Sequence, residues 1–364
     1  MRRLPKACTS ITACFLVCLA IVCLCARTPQ FMGAKQKAAL AAVSLTMFDG
    51  AAYLMNNSAS DDTIQTITSP TNSSFISTEN TTLSSESANQ NSKDTGSVPA
   101  HPGKNTGNVM EMQYGAGGEK WGDLYIKNIS DINPDFTKLL ESPLGFQIDN
   151  SRQVQVLIVH THTCEAYMDS YTGYYYTNFY PRTTDNNKNV TQVGAAIAKS
   201  LKKAGIGVID DKTIHDDPSY SGSYGRSEET IKNYLLRYPN IKVILDIHRD
   251  AIHDDEQQQI IKPTFTYNKK KAAQIMIVAG NDDDGSFDCP TWEKNLTFAL
   301  KLQETAEKMY PGMTRPIRFM NEMYNTFINS GSLLIEVGTD ANTIEEAKYS
   351  GELLGKALAE VLQK

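Results

Sequence analysis

Beyond residue 25 this 364-residue chain has almost no cysteine. Of seven in all, Cys8, Cys14, Cys18, Cys23 and Cys25 crowd the N-terminus, leaving only Cys164 and Cys289. Two are too few for a disulfide framework, and no pairing between them can be read from the sequence. Positive charge is also scarce: the formal net charge is −6. Apart from Lys269-Lys270-Lys271, which reads as a solvated loop, no Lys/Arg stripe is present, and this argues against nucleic acid as a partner. Large apolar residues are few from Asn56 to about Asn108, where Ser, Thr and Asn dominate. Such a stretch cannot bury enough surface to offset the entropy of ordering, and it reads as a tether.

What is present begins with Met1-Arg2-Arg3-Leu4-Pro5-Lys6, followed by an uncharged run from Ala7 to Ala26. A run of about 20 residues matches the width of a bilayer core. The basic residues before it place the N-terminus in the cytoplasm and the remainder outside, which predicts a single-pass cell-membrane protein with an extracytoplasmic domain. Cys23-Leu24-Cys25-Ala26 offers small residues for cleavage, but the run is long for a signal-peptide core, so a retained anchor is favoured. Lys35 to Met55 has a helical pattern interrupted by Asp49 and Gly50 and reads as a juxtamembrane helix. The expected organisation is therefore anchor over 1–30, juxtamembrane helix and tether over 31–121, and enzyme domain over 122–364.

Within that last part, strand-like and helix-like runs alternate. Strands are expected over Val154–His160, Gly207–Ile209, Lys242–His248, Gln274–Ala279 and Ser332–Glu336. Helices are expected near Val190–Ala204, Ser227–Tyr238, Thr291–Met309 and Thr343–Leu362. Alternation of this kind gives an α/β fold, a twisted, mostly parallel sheet with helices on both faces.

Three of these strands end in residues suited to metal chemistry. Val154–Val159 leads into His160-Thr161-His162-Thr163-Cys164-Glu165, Val243–Ile247 into His248-Arg249-Asp250, and Leu333-Leu334-Ile335 into Glu336-Val337-Gly338. Ligands in open α/β sheets bind outside the carboxyl ends of the strands, so the three ends can converge on one point. His162, Glu165 and His248 supply a His₂Glu set, which in hydrolytic zinc sites leaves one position open. The order His-X-X-Glu, a later His and a still later Glu is that of zinc carboxypeptidases and related hydrolases. Glu336 is the candidate proton carrier, because an ionised group at the end of an apolar strand is costly without a role or a partner. Gly338 would let substrate approach the backbone.

Blander readings stand beside these. His160 and His162 would face the same way if the strand continued, so either can be the ligand; His162, already in the loop, is preferred, with His160 orienting a ligand or the substrate. Asp246 can hold the other nitrogen of an imidazole or be an ordinary hydrogen-bonded buried Asp. Arg249 and Asp250 can form an ion pair or grip substrate carboxylates. His215 is the main spare ligand candidate, and a substrate-binding role fits it too, although a lone His in a polar loop is more often at the surface. Tyr167, Tyr171, Tyr174, Tyr175, Tyr176, Phe179 and Tyr180 can form a groove wall or an ordinary packed loop.

The chain resembles the stage II sporulation protein P family. The resemblance is carried by Val159–Tyr167, Arg182-Thr183-Thr184-Asp185-Asn186-Asn187, His215-Asp216 with Pro218, Asp246–Ala251 and Gly331–Gly338. That family is similar in turn to the zinc N-acetylmuramoyl-L-alanine amidases, whose late Glu-X-Gly strand matches Glu336 and Gly338. The resemblance implies zinc-dependent cleavage of the amide between muramic acid and L-alanine in peptidoglycan, an added endopeptidase activity on stem-peptide cross-links, and septal wall removal during engulfment of the forespore. It also implies stage II sporulation proteins D and M as partners. In those amidases the Glu ligand follows the first His at a longer interval than Glu165 follows His162. The chain also departs from the family pattern between Gly280 and Asn295. Two other readings compete: a zinc carboxypeptidase, for which Arg249 or Arg226 would clamp a terminal carboxylate, and a non-catalytic membrane scaffold.

Overall fold

The computed structural model describes residues 105–363 except 116, 122, 123, 150 and 152. The apolar N-terminal run, the juxtamembrane helix and nearly all of the tether lie outside the described residues. Among the described residues no helix is long and apolar enough to cross a membrane.

In chain order the elements are β1 (Thr106–Met112), β2 (Glu119–Trp121), β3 (Leu124–Asn128), α1 (Phe136–Glu141), β4 (Val154–Val159), β5 (Tyr174–Tyr176), α2 (Thr191–Lys203), β6 (Gly207–Asp210), α3 (Ser223–Arg237) and β7 (Val243–Asp250). There follow β8 (His253–Asp254), β9 (Gln259–Tyr267), β10 (Lys270–Ala273), β11 (Ile275–Gly280), α4 (Trp292–Met309), β12 (Ile317–Met320), β13 (Ser332–Thr339) and α5 (Ile344–Leu362). Eight strands form the main sheet in the order β2-β3-β12-β11-β13-β7-β4-β6. Its pairings are parallel except β2 with β3 and β11 with β13. The fold is the expected α/β class.

The two-residue period of a strand sends neighbouring side chains to opposite faces of this sheet. On β4 and β7, Val156, Ile158, Leu245 and Ile247 enter the large core with residues of α2, α4 and α5. Leu157, Val159 and Ile244 enter a smaller cluster with Ile231 of α3. Helices α2, α4 and α5, with Phe136 and Leu139 of α1, therefore cover one face and α3 the other. The α5 N-terminus is fixed by a reciprocal capping box between Thr343 and Glu346, an arrangement worth about 1 kcal/mol.

Order begins earlier than the boundary expected at residue 122. β1, placed in the tether by its composition, is a central strand of a second sheet, in the order β10-β9-β1-β5 with β8 on β9. It pairs parallel with β9, Asn108 opposite Gln259 and Met112 opposite Pro263. Lys262 of β9, only 1% exposed, ties this sheet to α5, its Nζ lying 3.1 Å from Glu111 Oε2 and 2.8 Å from Glu346 Oε1. Helix α3 also starts one turn before the expected Ser227, which brings Ser223 and Tyr224 into its first turn.

Candidate functional site

β4 stops at Val159, and the tight turn that follows separates the two histidines. His160 turns back into the framework: its Nδ1 lies 3.0 Å from the Ile247 carbonyl oxygen and its Nε2 3.5 Å from Asp210 Oδ1. A Cβ on Gly194 of α2 would come within 2.6 Å of that Nε2, so the helix backbone closes over the ring. His162 turns the other way, its ring centroid 5.3 Å from that of His248 and nearly perpendicular to it. The same turn brings Glu165 Oε2 to 3.5 Å from His248 Nδ1, where it also accepts a hydrogen bond from the Arg249 backbone N–H.

On β7, Asp246, His248 and Asp250 alternate with the core residues and share the α3 side of the sheet. Asp246 accepts from both the backbone N–H and the hydroxyl of Thr161, at 2.8 and 2.6 Å, so the first strand end is tied to the second. Its Oδ1 lies 3.0 Å from His248 Nε2, a charge contact outside good hydrogen-bond angles. Glu336 of β13 is in register with His248, and its buried Oε2 has no hydrogen-bond partner.

The charges of this cluster follow from burial and proximity. Burial pulls the His162 imidazolium down to about 4, with Glu165 opposing, so the ring is neutral and carries a free lone pair at neutral pH. Burial would raise Glu165, but the hydrogen bond and charge of His248, with Arg249, outweigh it and hold the carboxyl at about 2. His248 is held well above the usual imidazole range because Asp246 and Glu165 together overcome its burial. Burial, with Asp250 adding, pushes Glu336 up to about 8.

Among the described residues no group of three His, Cys, Asp or Glu side chains is drawn together tightly enough to hold a metal ion as it stands. The donor set nonetheless fits zinc. Two donors on one tetrahedral zinc lie about 3.3 Å apart, given bonds near 2.0 Å, and Glu165 Oε2 and His248 Nδ1 are 3.5 Å apart. His162 Nδ1 faces Ser223 Oγ at 3.3 Å and Asp216 Oδ2 at 4.0 Å, so Nε2 is the nitrogen left to bind. Carboxylates behind both imidazoles are the usual outer support of a metal site.

An aromatic wall, absent from the sequence reading, surrounds these groups. Tyr220 stacks on His162 with centroids 4.2 Å apart and planes at 11°. Tyr224 meets the edge of His162 and lies 6.4 Å from His248, while Tyr324 packs on Tyr224 at 5.3 Å. Tyr220 sits in a polar loop with no periodicity to mark it, and Tyr224 was hidden by the late helix start.

Other expected residues have different surroundings. His215 is buried, not superficial: its Nδ1 lies 2.9 Å from the His160 carbonyl oxygen and its Nε2 3.0 Å from Thr230 Oγ1, so both nitrogens are spent on the framework. Arg249 and Asp250 form no ion pair, because strand neighbours face opposite ways. Asp250 pairs with Arg315 at 2.8 Å, and Arg249 Nη2 donates to the Pro181 carbonyl oxygen at 2.9 Å. Arg226 donates to the carbonyl oxygens of His215, Ser219 and Ser221 and is not free to clamp a carboxylate. Tyr167 is buried with its hydroxyl on the Val337 carbonyl, Tyr175 and Phe179 pack on the Val109 cluster, and Tyr171, Tyr176 and Tyr180 are exposed, so that aromatic stretch is part packing and part surface. Cys164 and Cys289 are both buried free thiols. In the departing segment, Asp282 accepts from the backbone N–H groups of Phe287 and Cys289, which folds the loop onto itself. Gly338 has φ +67°, and a Cβ there would lie 2.5 Å from Asn342 Oδ1 and 2.8 Å from Ala273 Cβ. Backbone conformation and packing, not substrate approach, account for that glycine.

Comparison with known proteins gives the chain a family. Stage II sporulation protein P of Bacillus subtilis (strain 168) is 28% identical over 218 residues, 57% of this chain and 50% of that protein, so the match spans about half the length of the curated relative. Among solved structures, the N-acetylmuramyl-L-alanine amidase Ami1 from Mycobacterium abscessus has a TM-score of 0.33 at 12% identity, covering 58% of this chain and 98% of its own. The N-acetylmuramoyl-L-alanine amidase from Clostridium difficile 630 has a TM-score of 0.32 at 18% identity, covering 58% and 96%. The family model for stage II sporulation protein P matches residues 40–361, and the chain therefore belongs to the stage II sporulation protein P family.

Proposed function

We propose that this chain is a zinc-dependent peptidoglycan hydrolase of sporulation, cleaving the amide between N-acetylmuramic acid and L-alanine. The observation that carries the reading is the meeting of His162, Glu165 and His248 with Glu336 at the carboxyl ends of β4, β7 and β13. His162, Glu165 and His248 would hold the zinc. When bound, the ion would polarise the scissile carbonyl, lower the pKa of a water and favour the ionised form of Glu336. Glu336 Oε2, buried and unpartnered, is the atom to take a proton from the attacking water and pass it to the leaving amide nitrogen. Asp246 orients His248. The buried surroundings keep bulk water from competing for these groups.

The apolar run from Ala7 to Ala26 would anchor the enzyme in the cell membrane with its domain outside. Septal wall during forespore engulfment is the proposed site of action, stem-peptide cross-links a second substrate, and stage II sporulation proteins D and M the proposed partners. The carboxypeptidase reading loses one of its two candidate clamps because the Arg226 guanidinium is spent on the carbonyls of His215, Ser219 and Ser221.

The test is to incubate the purified protein with purified sacculi, with and without chelator, and to identify released fragments by mass. Free stem peptides beginning at L-alanine, lost on chelation and restored by zinc, are the expected result. Release of terminal amino acids alone would replace the amidase reading with a carboxypeptidase, and no release with zinc present would reject hydrolysis.

A further inference from the structure

His162, Tyr220, Arg182 and Asp216 form a closed ring of contacts, and two of them, Arg182 and Tyr220, have no part in the chemistry proposed above. Arg182 makes an ion pair with Asp216. Asp216 accepts from the Cys164 backbone N–H at 3.0 Å and places Oδ2 4.0 Å from His162 Nδ1. The ring of His162 is stacked on Tyr220, and the Arg182 guanidinium lies over that same tyrosine, 5.0 Å from its centroid. Tyr220 projects from a loop pinned on its far side, where Arg226 holds the carbonyls of His215, Ser219 and Ser221.

The ring geometry accounts for both degrees of freedom of an imidazole. Ser223 and Asp216 act on Nδ1 and oppose rotation that would exchange the two nitrogens. They do little to stop the ring from tilting, which a face-to-face aromatic contact does. A guanidinium over the tyrosine adds cation–π attraction that keeps Tyr220 in place although it is 43% exposed. Sequence offers a partial signal: Arg182 opens Arg-Thr-Thr-Asp-Asn-Asn, whose composition helix capping alone could explain, and Asp216 lies two residues before Pro218.

We infer that Tyr220, backed by Arg182, is a positioning residue that fixes the His162 ring with Nε2 directed into the site, so that the site is preset before a metal arrives. This rests on the zinc reading above. The full chain, purified in detergent and stripped of metal, is compared with Tyr220→Leu, Tyr220→Phe, Arg182→Lys and His162→Ala by two measurements: zinc affinity in competition with a chelating dye, and the histidine ring proton resonances without metal. With six histidines in the chain, His162→Ala identifies the resonance of interest.

Tyr220→Leu should weaken zinc binding about 10-fold, the usual size of an outer-support effect, and move the His162 ring protons downfield as the stacked ring is lost. Tyr220→Phe, which keeps the stack, should match the parent within about twofold, since the hydroxyl has no part in the contact. Arg182→Lys, which keeps the charge but loses the plane, should lie between. Parental zinc affinity and unshifted His162 resonances in a folded Tyr220→Leu chain would overturn the inference alone. A parent that binds zinc no better than His162→Ala would instead overturn the metal assignment and the inference with it. Should Tyr220→Leu not fold, the Arg182→Lys comparison decides: parental affinity and resonances there would also overturn the inference.

Discussion

Glu336 on β13 stands in register with His248 on β7, and paired positions on neighbouring parallel strands present their side chains to the same face. A candidate proton carrier and a candidate ligand are thereby held side by side by backbone hydrogen bonds. The irregular register after Glu336 and the left-handed backbone at Gly338 end this regular pairing just past the site. The geometry is therefore set by the sheet itself and leaves little to loop flexibility.

Gly338→Ala tests that frame. The new Cβ would meet Asn342 Oδ1 and Ala273 Cβ in a backbone conformation unfavourable to alanine. Left-handed strain of about 1–2 kcal/mol and overpacking of a similar size give an expected loss of about 3 kcal/mol, read from urea unfolding. A change below about 0.5 kcal/mol, the usual size of surface effects, would show that the end of β13 is not constrained as described.

Lys262→Met tests the role of the second sheet. It leaves Glu346, buried and still bonded to Thr343 and Asn342, without its cation, while Glu111 keeps Lys271 at 2.6 Å. Removing one partner of a buried ion pair costs about 3–5 kcal/mol, and the lower end is expected here because Glu111 stays paired. Adding Glu346→Gln should recover part of the loss. No recovery would mean that lost packing of the lysine stem, and not an uncompensated carboxylate, is the cause.

The same cluster predicts a pH dependence. Burial raises the Glu111 carboxyl, but the Lys271 hydrogen bond and the Lys262 charge outweigh it and hold the group below its ordinary value. A carboxylate with a lowered folded-state pKa contributes stability above its unfolded pKa of about 4.3, and that contribution is lost as pH falls through the lower folded value. The stability difference between the parent and Glu111→Gln should therefore be largest at neutral pH and shrink below about pH 4. A difference constant from pH 7 to pH 3 would contradict this.

Much of the site was legible because it sits where apolar strands end in ligand-type residues, a pattern that survives without an alignment. The choice between His160 and His162 was not legible, since it depends on the strand stopping at Val159 and on a turn that sends the two rings opposite ways. His215 read as a surface residue because its neighbours are polar, yet two hydrogen bonds bury it. The second sheet escaped notice for a related reason. β1 opens on Thr106-Gly107-Asn108, which read as loop, and pairs with a strand about 150 residues later, while β9 carries Lys262 and Pro263, which argue locally against a buried strand. Tyr220 lacks any local pattern; its place follows from a loop fastened by Arg226.

In the proposed division of labour His162, Glu165 and His248 bind zinc while Glu336 moves protons without binding it. Metal content and sacculus digestion, measured together on the parent, His248→Ala and Glu336→Gln, test this most directly. One zinc per chain is expected in the parent and in Glu336→Gln, and little in His248→Ala. Stem-peptide release should be fast in the parent, slower by at least about 100-fold in Glu336→Gln, and absent in His248→Ala. A Glu336→Gln chain that loses zinc, or one that keeps zinc and digests sacculi at the parental rate, would contradict the account.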